Sequence, residues 1–137
     1  DVIGDIRHEL ASTVEQAMAA GVSRDQIIVD PGLGFAKRSS QTFAALARLG
    51  ALSALDRPVL VGPSRKSFLQ DALGDLPPDE REWGTAAAVT AAILGGAHIV
   101  RVHGVREMMQ VTRVADHVRA YSDDGMSAAP VVTYASG

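Results

Sequence analysis

Polar side chains stand where three short apolar stretches of the sequence end. The stretches are residues 27–29, 59–61 and 99–100, and they consist of valine, isoleucine and leucine. The polar groups are an acid after the first stretch, a serine with two cations after the second, and an arginine and a histidine after the third: Asp30; Ser64, Arg65 and Lys66; Arg101 and His103. Since the carboxyl ends of parallel strands share one edge of a sheet, we expect these groups to converge there.

The residue types in this set suit an anion at one end and a nitrogen heterocycle at the other. Arg101 can bind an oxyanion through two parallel N–H donors, and His103 adds a further donor. A helix predicted from Val105 places its amino-terminal amides beside them, which favours a phosphate or diphosphate. Asp30 can accept paired N–H groups from a guanidine-like ring, while Lys66 can donate to a ring oxygen or nitrogen.

Each of these side chains also has a purely structural interpretation. Asp30 would cap a turn, Arg101 and His103 would be ion-paired core residues, and Lys66 would be a solvated loop lysine. The convergence of all three motifs on one edge favours the binding interpretation. Other chemistries fit less well, because residues 62–66 have Lys66 where a nucleophile elbow needs its second glycine, and they lack the Gly-Lys-Ser/Thr ending of a P-loop. The four histidines show no metal-ligand spacing.

The elements that carry these motifs alternate between strand and helix patterns. Apolar periodicity predicts helices over about 3–18, 39–52, 86–94 and 105–121, and strands over about 27–30, 59–61 and 99–103. We expect the first strand to be buried on both faces and residues 74–82 to form an exposed loop. Thr85 is expected to cap the third helix, and Trp83 to be a packing residue. The repeated strand–helix order predicts a parallel α/β sheet.

Length and composition narrow the class of protein. The chain has 137 residues, a net charge of −3 and no cysteine, which predicts no nucleic-acid partner and no membrane, and a cytoplasmic location. A full (β/α)8 barrel needs about 250 residues, so three strand–helix units predict the C-terminal portion of such a barrel. The start at Asp1, directly in a helical pattern, also indicates a fragment. We place this portion at 1–122 and predict a disordered tail at 123–137.

Three motifs, in order and with consistent spacing, closely resemble dihydropteroate synthase, the folate-pathway family that sulfonamides target. They are residues 30–37 (DPGLGFAK), 62–68 (GPSRKSF) and 101–103 (RVH), and the likeness covers about residues 1–121. The resemblance implies a barrel enzyme that joins 6-hydroxymethyl-7,8-dihydropterin diphosphate to p-aminobenzoate. The products are 7,8-dihydropteroate and pyrophosphate, which is released with the help of Mg²⁺. The partners implied are these small molecules and a second copy of the chain in a homodimer.

The resemblance also assigns a role to each motif residue. It implies pterin binding by Asp30, Gly34 and Lys66, a p-aminobenzoate and sulfonamide pocket bordered by Phe35, Ser64 and Arg65, diphosphate binding by Arg101, Val102 and His103, and catalysis by Lys66, Arg101 and His103. The metal ligand is expected in upstream strands and none in this fragment, so the isolated chain is expected to be inactive. Gly104 departs from the family, whose members commonly carry Asp after the Arg-x-His motif. A group that would orient His103 or its loop is therefore missing.

Two other functions stay open on the sequence. One is a methyltetrahydrofolate-dependent methyltransferase of the same pterin-binding fold, which a requirement for a corrinoid protein would support. The Ser-Arg-Lys and Arg-x-His motifs weigh against it. The other is a non-catalytic remnant that binds pterin or a partner chain, which pterin binding without pyrophosphate release would favour.

Overall fold

The computed structural model describes residues 1–35 and 38–122, and it is an α/β structure with more helix than strand. Its helices are α1 Val2–Ala19, α2 Ser39–Ala47, α3 Gln70–Leu73, α4 Glu82–Leu94 and α5 Val105–Ala120, and its strands are β1 Leu60–Val61 and β2 Ile99–Val100. Short 3₁₀ helices occupy Arg24–Gln26, Leu49–Leu55, Ser67–Leu69 and Pro78–Glu80. Ala36, Lys37 and the predicted tail 123–137 lie outside the described residues. Within the described ranges, no helix is long and apolar enough to cross a bilayer.

The sheet is parallel, as the repeated strand–helix order predicts. β1 and β2 pair with Leu60 opposite Ile99 and Val61 opposite Val100. On the other side of β1, Val29 forms a parallel bridge with Val59. The Val29 amide donates to the Pro58 carbonyl at 2.9 Å, and the Val29 carbonyl accepts from the Leu60 amide at 2.8 Å. The three predicted stretches therefore lie side by side, with β1 in the middle.

The strands are shorter than the sequence predicts. The first is reduced to the single bridge at Val29, and the third ends at Val100 rather than His103. The reason lies in β1, since the Arg101 amide still bonds to the Val61 carbonyl at 2.9 Å but β1 then turns away. The expectation that the first strand is buried on both faces is also wrong, because Ile28 is 52% exposed. Helices cover only the Val29 face.

One face of the sheet forms the main hydrophobic core with the helices. Val29, Val59 and Val61 project to this face, where α1, α2 and α4 pack on them. The helical contributors are small or branched, which permits close approach to the strands: Ile3 and Ile6; Ala45 and Leu46; Ala88 and Ala92. A second cluster of Val89, Ile93, Met108 and Ala115 joins α4 to α5. Burial of these side chains fixes where the strand ends stand.

Two helices differ from their predicted bounds. The second predicted helix ends at Ala47 and continues as 3₁₀ turns, which still bury Leu49 and Leu52. α4 begins at Glu82, so Thr85 lies inside it rather than capping it. The expectation that Trp83 is a packing residue is wrong, because this side chain is 88% exposed. The first turn of α4 contacts the loop that follows β1. Through this contact the polar residues Glu82 and Thr85 belong to an ordered helix.

Candidate functional site

The carboxyl ends of the three sheet segments lie along one edge and continue the face of the sheet opposite the main core. In the part of the chain that the structure describes, this face is largely open, with Ile28 52% and Ile99 38% exposed. Because side chains alternate along a strand, Asp30 and Arg101 extend the same face two residues further on. The predicted convergence of the motifs on one edge follows from this register.

Ser64 and His103 are in direct polar contact in the site. Ser64 Oγ lies 2.7 Å from His103 Nδ1, and the His103 amide donates to Ser64 Oγ at 3.1 Å. Ser64 is buried while His103 is exposed. In the neutral ring with its proton on Nε2, the Ser64 hydroxyl donates to Nδ1, and in the imidazolium Nδ1–H donates to Ser64. Both of these states leave Nε2–H as a donor, which suits an anionic ligand, whereas the tautomer with its proton on Nδ1 leaves Nε2 as an acceptor.

Arg101 lies over Gly62, where the chain leaves β1. An ideal Cβ built on Gly62 would stand 3.0 Å from Arg101 Nη2 and 3.1 Å from Nε. The guanidinium therefore occupies the space that any larger residue at position 62 would fill. Arg101 and His103 are both attached to the loop formed by residues 62–66, one through Gly62 and the other through Ser64. These two side chains can donate to a negative group, and so can the amides at the amino terminus of α5, which begins at Val105, while the Glu82 and Glu107 carboxylates lie beside Gly104.

Lys66 belongs to a second group of residues with Gly34 and Phe35. Lys66 Nζ donates to the Leu33 carbonyl and lies 4.1 Å from the centroid of the Phe35 ring. The stem of the lysine packs over Gly34, where an ideal Cβ would stand 2.9 Å from Lys66 Cδ. The interpretation of Lys66 as a solvated loop lysine is therefore wrong, because its side chain is half-buried and held by the preceding motif.

Asp30 shapes the loop that contains this second group. Its Oδ1 accepts a hydrogen bond from the Gly32 amide at 2.8 Å, which is the turn-capping role that the structural interpretation assigns. The next turn, Gly32 to Phe35, closes by a 3.1 Å bond between the Phe35 amide and the Gly32 carbonyl, with Gly34 at φ 78°. This geometry requires a glycine at its third position. The carboxylate of Asp30 is exposed.

Arg65 adopts a left-handed backbone conformation, with φ 58°. This conformation is unfavourable for a residue with a side chain, and it persists only where surrounding contacts hold it. The Arg65 amide donates to Thr85 Oγ1 at 3.0 Å, and the Arg65 carbonyl accepts from Arg81 Nη1 at 2.9 Å. The Arg65 guanidinium pairs with Glu82. Three residues from the start of α4 thus hold the residue between Ser64 and Lys66.

The sequence analysis missed Arg81, Glu82 and Thr85 as residues of the site. It placed the first two in an exposed loop, whereas Arg81 is only 6% exposed and also donates to the Leu76 carbonyl at 2.8 Å. A signal was present in the sequence, since an Arg-Glu pair immediately precedes an alanine-rich helix. Such a pair at the start of a buried helix needs partners of opposite charge or backbone carbonyls.

The remaining predicted site residue, Val102, points away from the polar groups. It is half-buried and packs against the second hydrophobic cluster, together with Val100 and Val111. Only its backbone stands at the edge where Arg101 and His103 lie. Across residues 1–35 and 38–122, no group of three or more histidine, cysteine, aspartate or glutamate side chains is placed to hold a metal ion.

These features define a parallel α/β protein with a cluster of polar side chains, a candidate small-molecule site, at the carboxyl ends of its strands. A sequence profile described as pterin binding enzyme matches residues 1–103. The chain belongs to this family of pterin-binding enzymes. The dihydropteroate synthase of Synechocystis sp. is 49% identical over 116 residues, which are 85% of this chain and 40% of that protein. The resemblance read from the three motifs is therefore confirmed.

Solved structures of relatives share the fold. The Yersinia pestis dihydropteroate synthase with a sulfonamide drug is 34% identical and superposes with a TM-score of 0.84, over 89% of this chain and 44% of that one. The Coxiella burnetii dihydropteroate synthase in complex with pteroic acid is 35% identical, with a TM-score of 0.84 over 88% of this chain and 44% of that one. The chain spans about two-fifths of the length of the curated bacterial relatives that it matches.

Proposed function

We propose that this chain forms the C-terminal part of a dihydropteroate synthase. The reaction would join 6-hydroxymethyl-7,8-dihydropterin diphosphate to p-aminobenzoate and give 7,8-dihydropteroate and pyrophosphate. The observation that carries the proposal is the attachment of Arg101 and His103 to one loop, through Gly62 and through the 2.7 Å contact with Ser64. Both side chains that could donate to a diphosphate are thus in contact with the same loop, and α5 begins two residues after His103.

The proposed whole fold is a (β/α)8 barrel, of which residues 1–122 supply the last three strands. The open face of the sheet supports this proposal, since Ile28 and Ile99 are apolar and exposed on the face that carries Asp30 and Arg101. In a closed barrel, inward residues of alternate strands pack in layers below the site. Upstream strands would cover these isoleucines and complete the ring of loops.

The diphosphate end of the proposed reaction uses Arg101 and His103. As the bond to the diphosphate breaks, negative charge develops on the departing oxygen, and positive or N–H groups already in place stabilise it. The guanidinium of Arg101 and His103 Nε2–H are such groups, and the amides at the start of α5 add a favourable field. Val102 would contribute through its backbone, since its side chain packs in the second cluster.

The pterin end of the proposed site uses Asp30, Gly34 and Lys66. The exposed carboxylate of Asp30 would accept N–H donors of the aminopyrimidine edge, while Lys66 would donate to the carbonyl side of the ring. Gly34 permits the lysine stem to lie against the backbone, at a place that a Cβ would obstruct. The Leu33 carbonyl and the Phe35 ring direct the ammonium group toward this loop.

Phe35, Ser64 and Arg65 are proposed to border the p-aminobenzoate pocket. Phe35 is 60% exposed, which leaves its ring accessible to a flat aromatic substrate. Ser64 and Arg65 belong to the loop that α4 anchors, so their positions are set before substrate arrives. The proposed pocket would then lie between the residues proposed for the pterin and those proposed for the diphosphate.

Magnesium is proposed as the cofactor of the whole enzyme, with its ligands upstream of this chain. The described residues contain no cluster that would hold the ion, so no step of the reaction is assigned to it here. A cytoplasmic location and a homodimer also stay predictions. The disorder of the tail at 123–137 likewise stays a prediction.

The proposal is tested by pyrophosphate release that depends on p-aminobenzoate, with the pterin diphosphate and Mg²⁺ supplied. The chain is measured alone and fused behind the upstream part of a dihydropteroate synthase relative. We expect no release from the chain alone and release from the fusion. Pterin binding without release in the fusion would favour a non-catalytic remnant, and a requirement for a corrinoid protein would favour a methyltransferase.

Lys66→Ala in the same fusion tests the site. The substitution removes the only ammonium group of the described loops that is held against Gly34 and Phe35, and it should abolish turnover while circular dichroism stays unchanged. Arg7→Ala, at an exposed position of α1, is the control that removes one positive charge elsewhere. An active Lys66→Ala variant would contradict the site assignment.

A further inference from the structure

Glu82 has one carboxylate oxygen that is buried without a hydrogen-bond partner. Its other oxygen, Oε1, pairs with Arg65 Nε, while Oε2 is enclosed and meets no donor in the described structure. A buried carboxylate oxygen without a partner is costly, so its retention calls for an explanation. The side chain is the first residue of α4 and crosses toward the start of α5.

The space beyond Oε2 belongs to Gly104. An ideal Cβ on Gly104 would stand 3.0 Å from Glu82 Oε2 and 3.3 Å from Glu107 Oε2. Gly104 has φ −84°, a conformation that any residue adopts, so the backbone does not require glycine here. The constraint comes from its neighbour, because a Cβ at 104 would make Glu82 shift by a few tenths of an ångström, and the ion pair with Arg65 restrains that shift.

We infer that Glu82 is a positioning residue of the site, which holds Arg65 through Oε1 and places its second oxygen in the space over Gly104. The inference rests on the proposed function in one respect, namely that Arg65 borders the p-aminobenzoate pocket. The carboxylate thereby links the two loops that carry the polar groups, since Arg65 lies in the loop after β1 and Gly104 follows His103. The Glu82 carboxylate then lies where the side chain of the family's usual aspartate at position 104 would extend.

A carboxylate attached to position 104 would reach the same space. The oxygens of an aspartate lie roughly 2.4 Å from its Cβ by standard covalent geometry, close to the distance that separates Glu82 Oε2 from the ideal Cβ. An aspartate at 104 is therefore disfavoured while Glu82 is present, because two like-charged carboxylates would lie close together. It becomes acceptable once Glu82 is shortened to alanine.

The test is a double-mutant cycle of Glu82→Ala and Gly104→Asp. In the fusion described above, each single variant should raise KM for p-aminobenzoate about tenfold, while KM for the pterin diphosphate changes less than about twofold. The combination of the two should return KM for p-aminobenzoate to within about threefold of the parent. A merely structural role would change both KM values and kcat together.

Two controls distinguish the effect of the carboxylate at position 104 from an effect of side-chain volume and from an effect of neighbouring charge. Glu82→Ala with Gly104→Asn has almost the same volume but no charge, and it should not restore the p-aminobenzoate KM. Glu107→Ala removes the exposed neighbouring carboxylate, and it should not make Gly104→Asp acceptable. The inference would be overturned if either control restored the KM for p-aminobenzoate. It would also be overturned if the combination of Glu82→Ala and Gly104→Asp failed to restore it.

The same cycle is measured by urea unfolding of the 137-residue chain, where no activity is needed. Both single substitutions should lower the urea midpoint, and the combination should be more stable than their sum predicts. If the fusion shows no pyrophosphate release, the proposed function fails while this measurement still decides whether Glu82 and Gly104 are coupled. Additive midpoints would reject the coupling even if the enzyme is active.

Discussion

The loop of residues 62–66 and the loop of residues 30–35 both carry proposed substrate-binding groups, but they are held in different ways. The first is anchored by Arg81, which immediately precedes α4 and bonds the carbonyl of Arg65, and by Thr85 and Glu82 of α4, which bond its amide and pair with its side chain. The second contains local bonds within its own residues, namely the hydrogen bond that the Gly32 amide donates to Asp30 Oδ1 and the turn that Gly34 permits. One loop is held by a neighbouring helix, and the other by its own turns.

The difference shows how backbone strain is distributed around the site. The 62–66 loop holds a non-glycine residue in the left-handed region, which requires several external bonds. The 30–35 loop has glycines at its positive-φ positions, where this conformation carries no such strain. Lys66 joins the loops, since it begins in the anchored loop and bonds to the Leu33 carbonyl in the other. Substitutions that act on only one loop should therefore give separable effects.

The largest effect is expected from Arg81→Met, which removes the anchor of the 62–66 loop. The substitution leaves the Arg65 and Leu76 carbonyls without their donor, and hydrogen bonds from charged groups contribute about 1.5–3 kcal/mol each. We expect the free energy of unfolding, measured with urea on this chain, to fall by about 3 kcal/mol. Arg7→Met, at an exposed position, should change it by less than about 0.5 kcal/mol. Equal effects would show that α4 does not anchor the loop.

Gly34→Ala should come next, because it disturbs the contact that joins the two loops. Alanine at a positive φ costs about 1–2 kcal/mol, and here the Cβ also meets Lys66 Cδ at 2.9 Å. Gly21→Ala is the matched control, since Gly21 has φ 97° and nothing within 4 Å of its ideal Cβ. Urea unfolding should give comparable losses, while pterin binding falls only in the Gly34 variant. Weakened binding in both variants would contradict a local role for the contact.

Gly62→Ala should have a smaller effect, confined to the anchored loop. Its Cβ would approach two nitrogens of Arg101 at 3.0 and 3.1 Å, so the guanidinium must shift by a few tenths of an ångström. We expect the dissociation constant for pyrophosphate, measured by calorimetry, to rise about fivefold, or about 1 kcal/mol. Gly50→Ala is the control, because the nearest atom to its ideal Cβ is at an ordinary 3.6 Å. Unchanged pyrophosphate affinity in the Gly62 variant would remove Arg101 from the anion site.

The smallest effect on stability is expected from Asp30→Asn, which separates the two interpretations of this residue. Asparagine keeps the oxygen that accepts from the Gly32 amide, so the free energy of unfolding should change by less than about 0.5 kcal/mol. Pterin affinity should nevertheless fall about tenfold, because a neutral amide no longer accepts two N–H donors as a carboxylate does. Unaltered pterin binding, followed by fluorescence titration, would leave Asp30 with the turn-capping role alone.

Much of the fold could be predicted from local sequence patterns. Valine and isoleucine runs located the three parallel segments, and apolar periodicity located α1 and α5 with small errors at their ends. The start of α4 was misplaced by four residues because Arg81 and Glu82 are polar and follow two prolines. Their burial depends on carbonyl and guanidinium partners in a loop about 16 residues away, which a local pattern does not show.

The sequence by itself determined the family and the residues whose side chains can bind or react, since motif spacing and residue type are local properties of the chain. The tertiary structure decided which of these residues meet. It joined Ser64 to His103 across 39 positions, laid Lys66 over Gly34, and brought Glu82 to the space over Gly104. Such contacts depend on strand register and on where helices cross, and these are set by packing of the whole core rather than by any single segment.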